Sequence, residues 1–233
     1  MNSSRLRFFP WVTLFVGIVG LALRCWLFSG ADRLGLLPQN HIAEILCFVL
    51  LAITLGVCAL FARLNDISAA PSSRLAVTCK AVGALAMVIS GCLLTGKELF
   101  PLLVSVSGIV IGLALLYDAF CRFKGTHTSP IAHYICMSFM IARIMFSCRG
   151  WSSQTQVQHF IFELFAALFF LVALYYRAQL DIEGKGHKPY FFFCQAALYC
   201  SCLSLAGTDF LFSLGASVWL AAESFGTPAP QGE

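Results

Sequence analysis

Apolar residues fall in eight continuous runs separated by short polar breaks. A helix needs about 17–25 residues to cross the hydrocarbon of a bilayer. The runs predict spans at 8–28, 42–62, 75–95, 99–120, 131–148, 157–176, 190–206 and 208–225. The last is the weakest, since it holds Ser213, Ser217 and Glu223. Membrane barrel strands alternate apolar and polar positions, and these runs do not, so the spans are helical. The expected fold is an all-α integral membrane protein, an eight-helix transmembrane bundle.

The breaks have local causes. The stretches 65–74 and 124–130 are polar turn clusters ending at or near a proline, and 181–189 is the most polar loop. Pro130 and Pro189 stand where a helix start needs no N–H. Gly96 and Gly207 sit at tight hairpins, as glycines at helix C-termini do.

Composition agrees. Only 11% of the 233 residues are charged, against about 25% in soluble domains, and the mean hydropathy is +0.84. Too little polar surface remains for a water-soluble globule of this size, so residues 1–233 read as one polytopic domain. The first run has no small-residue cleavage pattern behind it and reads as a retained helix rather than a signal peptide.

The net charge of +4 does not point to nucleic acid, because the cations lie in loops between spans. Arg5, Arg7, Arg63, Arg74, Lys80, Arg122, Lys124, Arg177, Lys185 and Lys188 fall on one side, with Lys80 snorkelling there. Arg33, Lys97 and Arg149 fall on the other. The positive-inside rule then puts both termini in the cytoplasm, most simply at the plasma membrane. The eleven cysteines lie mostly within the apolar runs and read as reduced packing residues.

Rare charged residues recur in the two halves. Arg24 and Arg143 are each followed shortly by Phe-Ser and, 20 residues on, by Glu44 and Glu163. His41 and His159 precede those glutamates by about one turn. Gly96 and Gly207 are each followed two residues on by Glu98 and Asp209. The pattern predicts a tandem repeat, with a first four-helix half at 1–124, a second at 125–226 and a short cytoplasmic tail at 227–233. Four spans per unit would give two halves of parallel orientation.

The repeat also places a candidate site. Arg24 and Glu44 should sit at comparable depth on neighbouring antiparallel helices, as should Arg143 and Glu163. Pairing would offset the cost of charge in the bilayer. With Glu98, Asp209, His41 and His159 these groups are expected to line one ligand-binding vestibule near the outer face. The arginines would attract the anion.

Other patterns bind no cofactor and no metal on this reading. His41 with Glu44 and His159 with Glu163 share helix faces, but the spacing differs between the halves. His127, His133 and His187 read as solvated or interfacial. Asp118 and Arg122 form an ordinary i,i+4 pair. Gly108 and Gly112 form a GxxxG, expected to pack within the bundle. There is no HExxH, GxSxG or phosphate-cradling loop, so no catalytic residue is assigned. The leading expectation is binding or transport of a small polar or anionic solute. The rival is a non-transporting subunit or sensor with structural ion pairs, working beside other membrane subunits. An intramembrane enzyme is the third reading.

Overall fold

The computed structural model describes residues 3–30, 41–64, 73–94, 99–126, 128–151 and 160–226, with only the backbone of residues 3–8, 150 and 151. They form eight helices: α1 (Ser3–Ser29), α2 (Ile42–Leu64), α3 (Arg74–Leu93), α4 (Leu99–Phe123), α5 (Pro130–Trp151), α6 (Ile161–Glu183), α7 (His187–Ser204) and α8 (Phe210–Gly226). Helices α1 to α6 are each long and apolar enough to cross a membrane. The chain is therefore a multi-pass helical membrane protein. We call the end where α1, α3, α5 and α7 finish the far end, and the opposite end the near end.

Local chemistry sets the boundaries. Ser73 caps α3 by accepting the Ala76 N–H at 3.2 Å, and Pro130 opens α5. The largest departure from the expected spans is in α6, which starts at Ile161 and runs on to Glu183. It stops only at Gly184, whose φ of +65° gives a left-handed cap that suits glycine. Arg177 and Asp181, expected at a loop, are therefore helical.

Packing follows membrane rules, in which lipid rewards apolar side chains as well as a protein core does. On α2 the large residues Ile42, Ile45, Val49, Ile53, Val57 and Leu60 are exposed. The opposite face buries Ala43, Cys47, Leu51, Thr54, Cys58 and Ala62. The inward face is thus the one with the smaller and more polar side chains.

Small residues also bring backbones together. A Cβ at Gly83 of α3 would lie 2.7 Å from the Gly215 carbonyl oxygen of α8, and one at Gly215 would lie 2.5 Å from the Gly83 oxygen. The expected GxxxG faces α3: a Cβ at Gly112 would meet the Ala84 oxygen at 2.8 Å, and Gly108 lies against Gly91.

The helices do not divide into two self-contained halves. Helix α3 packs between α4 and α8, α6 lies along α7, and α2 packs on α1 and α7. Helix α7 also touches α1 and α8 and is the centre of the bundle, with thirteen of its 18 residues buried. The α3–α8 and α1–α7 contacts both cross the division between 1–124 and 125–226.

Candidate functional site

Each end of the bundle holds a buried cluster of charged groups. The far-end cluster contains several residues of the expected vestibule. Arg143 projects from α5 and is only 6% exposed. It forms an ion pair with Asp209, just before α8, and donates to the Val104 carbonyl of α4 at 2.8 Å. Its guanidinium lies over the Phe212 ring, 3.8 Å from the centroid. Gly108 leaves the space, since a Cβ there would come within 3.1 Å of Arg143 Nη1. Asp209 also accepts a hydrogen bond from Ser90 Oγ of α3 at 2.9 Å.

Glu163 stands on the first turn of α6. It accepts the Thr208 N–H at 2.9 Å and the Thr208 hydroxyl at 3.3 Å. The α7–α8 turn approaches so closely that a Cβ at Gly207 would collide with Glu163 Oε1. Glu163 lies within Coulombic range of both Arg24 and Arg143. Arg24 is 2% exposed, with its guanidinium 5.0 Å from the Phe162 ring and 5.3 Å from the Phe28 ring.

A cavity of about 160 Å³ opens among these groups. Arg143, Glu163, Asp209 and Ser204 supply polar lining, and Phe170 and Phe212 supply apolar walls. Of the eight expected residues, Arg143, Glu163 and Asp209 share this cavity, and Arg24 lies behind Glu163. Glu98 and His159 lie outside the described residues. Glu44 is half-buried on the first turn of α2. His41 is taken up locally: its Nδ1 accepts the Ala43 N–H at 3.2 Å and its ring meets Trp26 edge-on at 5.2 Å.

The expected pairings differ from those found. Among the described residues no ion pair joins Arg24 to Glu44 or Arg143 to Glu163. Arg143 pairs with Asp209 instead. The carboxylate of Glu163 is within range of Arg24 because α1 packs on α7, beside α6, rather than only on α2.

Of the near-end cluster, only the Asp118–Arg122 pair was expected from the sequence. Lys80 of α3, fully buried rather than snorkelling, lies 2.5 Å from Glu223 of α8. Arg177 of α6 reaches Glu223 at 3.6 Å and Asp181 at 3.9 Å. Arg122 Nε is 3.0 Å from both oxygens of Asp118, and its Nη2 is 3.4 Å from Asp181. Thr128 donates to Asp118 at 2.7 Å. His133, read as interfacial, is 1% exposed and sits between Asp118 and Asp181, 3.8 Å from each. Three cations thus face three acids, drawn from four helices, and His133 adds a fifth. The available signal was Glu223, an acid inside an apolar run, which demands a buried cation somewhere in the chain.

Asp118, His133 and Asp181 are the one group of metal-ligating side chains close enough to share an ion among the described residues. No family model, curated protein or solved structure matches the chain.

Proposed function

We propose that this protein binds a small polar solute in the far-end cavity and moves it across the bilayer. The observation that carries the reading is the cavity itself. It is about 160 Å³ in volume and joins ionic groups to aromatic walls. That combination is what small-molecule sites use: apolar surface for affinity and a few polar groups for orientation. Helices α7 and α8 complete eight spans in this reading. Both termini lie in the cytoplasm of a plasma-membrane protein, so the cavity faces the exterior. The matched Arg24/Arg143 and Glu44/Glu163 positions support descent of the two halves from one four-helix unit, with packing that has since diverged.

The test is uptake of radiolabelled acetate, glycine and phosphate into proteoliposomes. Wild type should accumulate at least one of them above empty liposomes, and the double variant Arg24→Gln with Arg143→Gln should not. Equal uptake by the double variant would remove the arginines from the mechanism.

A second reading has its own support. Each near-end carboxylate has a cationic partner, an arrangement suited to holding helices in register. A non-transporting subunit or sensor would use both clusters that way, beside other membrane proteins. It predicts lower folding yield in the arginine variants and no solute phenotype in wild type.

A further inference from the structure

His133 sits near the start of α5, and its two ring nitrogens face different acids. Nε2 lies 3.8 Å from Asp118 Oδ1, and Nδ1 lies 3.8 Å from Asp181 Oδ2. Neither distance is a hydrogen bond, and neither nitrogen has any hydrogen-bond partner although both are buried. A buried polar atom left in that state is costly and calls for a partner, a water or an ion.

The three side chains can supply one ligand atom each, all within 4.8 Å of one another. Some point then lies within about 2.8 Å of all three, so each needs to move by less than about 1 Å to reach transition-metal bond lengths of roughly 2.0–2.2 Å. They come from α4, α5 and α6, so the ion would tie three helices. Asp118 is already oriented by Thr128, the kind of outer support that ligating carboxylates have.

We propose that Asp118, His133 and Asp181 form a binding site for a divalent first-row transition-metal ion of the Mn²⁺ type. Two carboxylates and one imidazole make an oxygen-rich, moderately hard donor set. The opposing effect is charge, because Arg122 and Arg177 contact the same carboxylates. Arg122 resolves it: its side chain is 19% exposed and lies in the last turn of α4, so it can swing outward as the ion enters. Binding is then an exchange of a guanidinium for a metal. This site stands apart from the far-end cavity and does not rest on solute transport.

The test is titration of Mn²⁺ into the chelator-stripped full chain in nanodiscs, followed by loss of the free-Mn²⁺ electron paramagnetic resonance signal. Mn²⁺ is preferred to Zn²⁺ because the eleven cysteines would hold zinc elsewhere. One ion should bind per chain. His133→Gln and Asp181→Asn should each weaken binding at least tenfold, while Arg122→Gln should tighten it several-fold. Circular dichroism melting establishes that each variant is folded. If Asp181→Asn does not fold, His133→Gln, which leaves both acids and their arginines in place, decides. Absence of stoichiometric Mn²⁺ binding by folded wild type, unchanged affinity in His133→Gln, or weaker binding in Arg122→Gln would overturn the proposal.

Discussion

At the near end each of Asp118, Asp181 and Glu223 lies beside a cation. At the far end Glu163 is held by the hydrogen bonds of one turn residue, Thr208, and borders a cavity. The two clusters use similar residues and differ in how fully their charges are matched by direct ion pairs. Where cations occupy the carboxylates, the cluster fixes which helices are neighbours, and a metal can enter only by displacing one of those cations. Where a carboxylate is held by a backbone N–H and a hydroxyl, it keeps lone pairs that the proposed solute could use. Helix α3 meets α8 at both ends, through Lys80–Glu223 and Ser90–Asp209, with Gly83 against Gly215 between them.

The largest expected effect is at the near end. Glu223→Ala leaves Lys80 buried without its closest acid, and removing one member of a buried pair costs about 3–5 kcal/mol. Denaturant unfolding in mixed micelles should show that loss, and adding Lys80→Met should recover most of it. If the single variant is as stable as wild type, the cluster does not hold the helices together.

Next comes the crossing that both ends share. Gly215→Leu forces a side chain against the Gly83 backbone, and overpacking of this kind costs about 1–3 kcal/mol. Both clusters should loosen together, seen as faster hydrogen exchange in the first and the last turns of both α3 and α8. Loosening at one end alone would mean the clusters are independent.

Glu163→Gln sharpens the contrast most. The amide keeps an oxygen for Thr208, so stability should fall by no more than about 1 kcal/mol, the worth of a single hydrogen bond. Solute uptake should drop at least tenfold. A large stability loss with unchanged uptake would make the far end structural too. The smallest effect is expected for Ser90→Ala, which removes one hydrogen bond to Asp209, about 0.5–1.5 kcal/mol by the same unfolding assay, and leaves Mn²⁺ binding untouched.

The helices were legible because run length and continuity carry the membrane signal. All eight expected runs correspond to helices, and α1 to α6 meet the length and hydropathy of a span. The end of α6 was not legible. Arg177 and Asp181 follow an apolar run and resemble loop residues, yet the backbone stays helical and buries Arg177 against Glu223. Partner choice was less legible still. Sequence reasoning pairs charges on adjacent hairpin helices, whereas Lys80 and Glu223 are 143 positions apart. Arg143, Glu163 and Asp209, which line one cavity, stood out because charged residues are scarce in apolar helices, so each one is informative. His133 was missed because its position at the edge of a span suggested headgroup contact, and nothing local announces two facing acids.

Helix α7 begins with His187, Lys188 and Pro189, carries Gln195 at its core, and has almost no surface left for lipid. A segment like that gains little from dissolving in a bilayer on its own. Its place comes from the helices that surround it, α1, α2, α6 and α8. Protein neighbours rather than lipid therefore hold this helix, and a change on any one of those four faces is felt by the whole bundle through it.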